Sequence, residues 1–187
     1  MVKKSPSGMV QVYTGDGKGK TTCALGAGLR AAGHGLDVVM ICFMKAKLAI
    51  RNHDEEINYG EFGSTDLIPN FTIIPVGRET FVDKENPDPI DIKMAQDGLK
   101  LAKDYIRKKN CDVLILDELN VAVEWNLISL EDQLDLINSK PLNLELIITG
   151  RYASKEVLDL ADLVTEMREV KHYYNDKKVK ARKGFEF

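Results

Sequence analysis

Cysteine is scarce in this 187-residue chain, and the little there is carries no metal or disulfide pattern. Cys23, Cys42 and Cys111 each sit beside apolar residues, with no CxxC and no Cys/His spacing, so they read as reduced, mostly buried packing residues. That usage points to the cytoplasm. Long hydrophobic runs are missing too. No segment approaches the roughly 18 to 20 apolar residues of a membrane span, and Ser5-Pro6-Ser7-Gly8, following Lys3 and Lys4, is not the apolar core of an export signal. No membrane partner is expected. An excess of charge of one sign is also absent: 26 basic against 29 acidic residues leave a net charge of -3. Such a surface offers no global attraction to nucleic acid, so any basic site must be local. Without repeats, low-complexity tracts or a second-domain linker, the expectation is one domain over 1–187, large enough to bury a core and a cofactor cleft without disulfides or structural metal.

What is present alternates between strand and helix. Met9-Val10-Gln11-Val12-Tyr13 is short and β-rich and runs into a glycine-dense turn, then a helical stretch over 20–32. Gly33-His34-Gly35 stops that helix, and the apolar run Val38-Val39-Met40-Ile41-Cys42-Phe43 has the character of a strand buried on both faces of a parallel sheet. Further strands are read at 71–75, 113–116, 144–149 and 163–167, with helices at 90–109, 121–125 and 130–138 and a short one opened by Ser154. Residues 45–70 are polar and irregular and read as a mobile or functional loop; His53 within it reads as solvent-exposed. The fold class is α/β, a doubly wound, mostly parallel sheet.

The strongest local signal is Thr14-Gly15-Asp16-Gly17-Lys18-Gly19-Lys20-Thr21-Thr22 between the first strand and helix. It ends like a phosphate-binding P-loop but carries Thr14 where the usual pattern opens on glycine. Glycines let backbone N–H groups turn around phosphate oxygens, the helix presents its positive end, Lys20 supplies a cation and the Thr21 hydroxyl can ligate Mg²⁺. The second signal is Val113-Leu114-Ile115-Leu116-Asp117-Glu118, an apolar strand delivering two carboxylates to its C-terminal end, where open α/β sheets place their ligand crevice. An acid there suits a hard divalent cation, Mg²⁺ or Mn²⁺, held jointly with a triphosphate.

These segments, with Arg30-Ala31-Ala32-Gly33-His34-Gly35, Leu116-Asp117-Glu118-Leu119-Asn120, Ile148-Thr149-Gly150-Arg151 and Val170-Lys171-His172, resemble the corrinoid adenosyltransferase family over about residues 9–187. The resemblance implies a P-loop NTPase-like (RecA-like) fold and a transferase that moves the 5′-deoxyadenosyl group of ATP onto Co(I) of cobalamin or a precursor. Inorganic triphosphate leaves, and the step belongs to adenosylcobalamin biosynthesis or salvage. It assigns the triphosphate to Gly15, Asp16, Gly17, Lys18, Gly19, Lys20, Thr21 and Thr22, and the metal to Thr21 and Glu118 with Asp117 in support. Lys20, Thr21 and Glu118 become the catalytic candidates. A homodimer and a flavoprotein electron donor are implied as well.

Arg30 and Arg151 are further nucleotide candidates. Arg30 is equally a solvated partner of a nearby acid, and Arg151 equally a helix-start residue. The departure from the family lies at 76–83, where relatives place two aromatics that help remove cobalt's lower ligand. Here only Phe81 is aromatic, and it reads more as a buried loop anchor than as a corrinoid contact. His34 reads as a helix cap. The basic segment 170–187 reads as a solvated tail or one folding over the corrinoid's edge, not as a nucleic-acid site, because the protein as a whole is acidic. Two other functions fit a P-loop: an ATPase or kinase in which Glu118 activates water or a hydroxyl, and a non-catalytic nucleotide-dependent binding module.

Overall fold

The computed structural model describes residues 7–46, 50–52, 55–57 and 59–187. In chain order its elements are β1 (Val10–Thr14), α1 (Lys20–Gly33), β2 (Val38–Phe43), β3 (Ile50–Asn52), β4 (Glu55–Ile57), α2 (Gly60–Thr65), β5 (Phe71–Val76) and α3 (Pro89–Lys108). There follow β6 (Val113–Asp117), α4 (Leu119–Glu124), α5 (Leu130–Asn138), β7 (Glu145–Thr149), α6 (Lys155–Leu160), β8 (Leu163–Glu166) and α7 (Tyr173–Lys177). Six strands form one sheet in the order β5-β2-β6-β7-β1-β8, every neighbouring pair parallel. β3 and β4 pair antiparallel by themselves.

The continuous apolar strands follow from helices on both faces. All six β2 residues are buried, and successive side chains feed opposite cores. Val39, Ile41 and Phe43 join Ala95, Leu99, Ala102 and Ile106 of α3 and Leu136 and Ile137 of α5. Val38, Met40 and Cys42 join Ala24 and Ala32 of α1. α3 starts where the Asp88 carboxylate accepts the Ile90 N–H at 2.9 Å with Pro89 in the first turn, and it stops at Lys109 in the left-handed region. α1 lies so close to the sheet that a Cβ on Gly28 would come 2.7 Å from Phe71 Cζ.

Topology places the functional end. From β1 the chain crosses β7 and β6 to reach β2 and β5, returns through β6 and β7, and finally adds β8 on the opposite side of β1. Strand order therefore reverses at β1, and a crevice opens beyond the C-terminal ends of β1, β6 and β7. The sequence anticipated all six strands of this sheet, but not α2, α7 or the β3–β4 pair. The stretch 45–70, expected to be irregular, carries α2 and those two strands; His53 lies outside the described residues. Phe81, expected to be a buried anchor, is 67% exposed. Its segment, 77–88, runs between β5 and α3 and forms no strand or helix of its own.

Candidate nucleotide-binding site

A cavity of about 850 Å³ occupies that crevice, lined by residues 16–22, by Glu118 after β6 and by Arg151 after β7. The loop between β1 and α1 is held from behind. Gly17 N–H donates to the Met167 carbonyl at 2.6 Å, and Met167 N–H donates to the Thr14 carbonyl at 2.8 Å. A Cβ on Gly15 would meet the Met167 oxygen at 2.5 Å, and Gly15 also has φ 92°, so backing and backbone both require glycine there. Gly19, at φ 117°, is the N-cap of α1 and supplies no side-chain cap, which leaves the first N–H groups of a 14-residue helix facing the cavity. The Lys20 ammonium bends back over the loop and donates to the Gly15 and Gly17 carbonyls, each at 2.7 Å. Burial pulls its pKa down, and the nearby Glu118 carboxylate opposes that pull.

The two acids at the end of β6 have separate environments. Asp117 is fully buried and both its oxygens are engaged: Oδ1 accepts the Thr149 hydroxyl at 2.7 Å and Oδ2 accepts the Lys45 ammonium at 2.8 Å. Lys45 also lies 3.9 Å from Glu61 of α2 and 5.0 Å from the centre of the Tyr59 ring. Burial alone would lower the Lys45 pKa; the adjacent Asp117 carboxylate reverses that and drives it up. Glu118 takes the left-handed φ of 62° at the N-cap of α4, its N–H donating to Thr149 Oγ1 at 3.0 Å. Its residue lines the cavity, and burial, then Asp117, pushes the carboxyl pKa up. One relay, Glu118 N–H to Thr149 to Asp117 to Lys45, thus fixes the acid at the strand end beside the phosphate loop.

This chain matches the family described as ATP:corrinoid adenosyltransferase BtuR/CobO/CobP over residues 6–187. It belongs to that family. Its relatives include the corrinoid adenosyltransferase CobA of Salmonella typhimurium, 32% identical over 186 residues and covering 96% of this chain and 86% of the relative. The corrinoid adenosyltransferase of Escherichia coli K12 is 33% identical over 181 residues, with the same coverage of 96% and 86%. Among solved structures, the flagellar accessory protein FlaH of Methanocaldococcus jannaschii aligns with a TM-score of 0.53 at 14% identity, over 86% of this chain and 71% of that one. A KaiC-like protein of Pyrococcus horikoshii gives 0.52 at 15%, over 89% and 74%. At such identities the structures establish the P-loop NTPase-like fold alone.

Within this family member the candidate residues divide. Residues 16–22, Glu118 and Arg151 share the cavity, whereas Gly15 does not line it and packs behind the loop against Met167. Arg30 does not line it. Ten residues along α1 from Lys20, about 15 Å at helical rise, Arg30 borders a second cavity of about 320 Å³ with Gln11, His34 and Asp112. His34 caps α1 as expected, its N–H donating to the Ala31 carbonyl at 2.9 Å. His172 caps α7, Nδ1 accepting the Tyr174 N–H at 3.1 Å. Among the described residues no three His, Cys, Asp or Glu side chains cluster as a metal site. Thr21 and Glu118 both line the cavity, and their hydroxyl and carboxylate oxygens are of the type that would suit a hard divalent cation.

Sequence reading missed Lys45, Tyr59 and Trp125, which line the cavity, and left open whether the segment 170–187, of which Tyr173 and residues 184–187 line it, folds over a substrate. Lys45 follows the apolar run of β2 by two residues, so the strand-end rule that located Glu118 could have located it too. The aromatics carried no comparable signal.

Proposed function

We propose that this chain is an ATP:corrinoid adenosyltransferase that binds the triphosphate of ATP on residues 15–22 and releases it as inorganic triphosphate. The observation that carries the reading is a formed phosphate loop sharing one cavity with the strand-end carboxylate Glu118, in a member of this family. In the reaction, the electron pair of Co(I) in the corrinoid substrate forms the cobalt–carbon bond at C5′ of the ribose, and the C5′–oxygen pair leaves with the triphosphate. The chain's task is electrostatic. Backbone N–H groups of the loop and the first turn of α1 meet the charge that grows on the departing oxygens, and because they are already in place they need no reorganisation. Lys20 moves from the Gly15 and Gly17 carbonyls to those oxygens, and Arg151 approaches from the end of β7. Mg²⁺, held by Thr21 and Glu118, supplies further neutralisation when bound; Asp117 supports Glu118 through Thr149 without facing the cavity.

Assembly as a homodimer, cobalt reduction by a flavoprotein donor and a cytoplasmic location complete the reading. Among the described residues no helix is long and apolar enough to cross a membrane. The deciding experiment is an anaerobic reaction of chemically reduced cobalamin with ATP and Mg²⁺, following the corrinoid spectrum and the phosphate species together. Adenosylcobalamin with inorganic triphosphate is the expected outcome; ADP and phosphate without an adenosyl product would refute it.

A further inference from the structure

Lys18, at the middle of the phosphate loop, is held by the C-terminus of its own chain. Its ammonium donates to the Phe185 carbonyl at 3.2 Å and lies 3.6 Å from Glu186 Oε1. Glu186 is the centre of a knot. The Tyr173 hydroxyl donates to Oε1. The Arg182 N–H donates to Oε2 at 2.7 Å, and the guanidinium reaches Oε2 at 3.3 Å and Oε1 at 3.4 Å. The same guanidinium lies over the Tyr173 and Phe185 rings, 5.0 and 4.7 Å from their centres. Gly184 N–H closes the final turn on the Phe187 carbonyl at 2.7 Å. The Glu186 side chain is only 15% exposed in a tail that is otherwise largely open to solvent, and the Arg182 and Tyr173 hydrogen bonds bring its pKa down to about 2. Residues 184–187 and Tyr173 line the same cavity as residues 16–22.

We propose that Glu186 is a positioning residue of the nucleotide site: it seats residues 184–187 as a wall of the cavity and, through Lys18, ties that wall to the phosphate loop. The inference rests on assigning the cavity to a nucleotide, but not on the chemistry carried out there. A partly exposed ion pair at 3.6 Å such as Lys18 to Glu186 contributes little by itself. The gain comes from ordering the wall before ligand arrives, so that binding does not have to order it. The Lys18 side chain therefore acts on the nucleotide through the tail, while its backbone remains part of the phosphate loop.

Trp125 is the only tryptophan and lines the cavity, so its fluorescence reports ATP binding with no corrinoid present. Four variants are titrated: Glu186→Gln, Lys18→Met, the two combined, and a chain ending after Lys183. Each single substitution should raise the Kd for ATP about tenfold, and the combination should be no worse than either alone, the signature of two residues acting as one unit. The shortened chain should match them while keeping its far-UV circular dichroism. A folded shortened chain with wild-type Kd, or one that binds more tightly, would overturn the proposal. So would additive effects of the two substitutions, because Lys18 would then be touching phosphate directly. Absence of ATP binding by the wild-type chain would instead sink the nucleotide assignment on which the proposal stands.

Discussion

Replacing Lys45 with methionine should be among the most damaging single substitutions outside the apolar core. The ammonium sits 2.8 Å from Asp117 Oδ2, with the two side chains 14% and 0% exposed. Methionine keeps most of the aliphatic stem beside Tyr59 and removes the charge. Breaking a buried pair from one side costs about 3–5 kcal/mol, because the remaining ion is left without compensation. The Thr149 hydroxyl still satisfies Asp117 Oδ1, and the carboxyl can take up a proton, so the loss belongs near the lower figure, about 3 kcal/mol. At about 2–4 °C per kcal/mol for a chain of this length, the thermal midpoint should fall by about 6–12 °C. Urea unfolding of the wild type, Lys45→Met, Asp117→Asn and the double variant supplies the measurement. The amide introduced by Asp117→Asn would still accept from Thr149 and would carry no charge, so the double variant should be more stable than the sum of the two single losses predicts. A Lys45→Met protein within about 1 kcal/mol of wild type, or strictly additive losses, would refute the buried-pair reasoning.

Other outcomes follow from the same geometry. Lys20→Ala removes the loop's own cation and should cut turnover by about 100- to 1000-fold, as for other preorganised charge contacts, measured as adenosyl product per unit time under saturating ATP. Glu118→Gln should alter pH dependence in a defined direction. Burial raises the carboxyl above its ordinary 4.5, so the folded state holds its proton more tightly, and the associated stability is present at low pH and lost as pH rises through the folded value. Without metal or nucleotide, the midpoint of wild type relative to Glu118→Gln should therefore decline upward from about pH 4.5, the ordinary value of the group, read by scanning calorimetry. Gly28→Ala should destabilise by about 1–3 kcal/mol through overpacking, since the added Cβ would lie 2.7 Å from the buried Phe71 ring and 3.1 Å from Ile115 Cδ1; urea midpoints check it.

The sheet was legible because its strands are buried on both faces, which forces near-continuous apolar runs such as Val38–Phe43. The phosphate loop was legible because backbone close to Met167 demands glycine at 15 and 17, a constraint that leaves a visible spacing. Asp117 and Glu118 were read together from one strand end, but their division of labour was not. It depends on Lys45, 72 residues away, and on Thr149, 32 residues away, and no local pattern encodes pairings at that separation. Arg30 shows the converse case. It sits in a segment shared with the family and belongs to the helix that begins at the loop, yet helical rise carries it away from the crevice. The tail was legible only as two alternatives, solvated or folded over the substrate edge, because its basic composition does not show that one glutamate near its end gathers an arginine, a lysine and a tyrosine around itself.

The commitments of the basic side chains argue for what the site must receive. Among the described residues, four lysines and arginines line the cavity: Lys18, Lys20, Lys45 and Arg151. Lys18 is held by the C-terminal turn and Lys45 by Asp117, while Lys20 rests on two loop carbonyls. Lys45 cannot leave without stranding a buried carboxylate, and Lys18 cannot leave without loosening the wall. Under the proposed function, a departing triphosphate would therefore meet, from the described residues of this chain, the loop N–H groups, the end of α1, Arg151 and a released Lys20. That set is short of the charge such a polyanion develops, and Glu118 at the neighbouring strand end carries the wrong sign. A divalent cation, held as proposed by Thr21 and Glu118, would remove both deficits at once, which is why one strand-end carboxylate beside a phosphate loop, and not a preformed cluster of acids, would suit metal that arrives with its nucleotide.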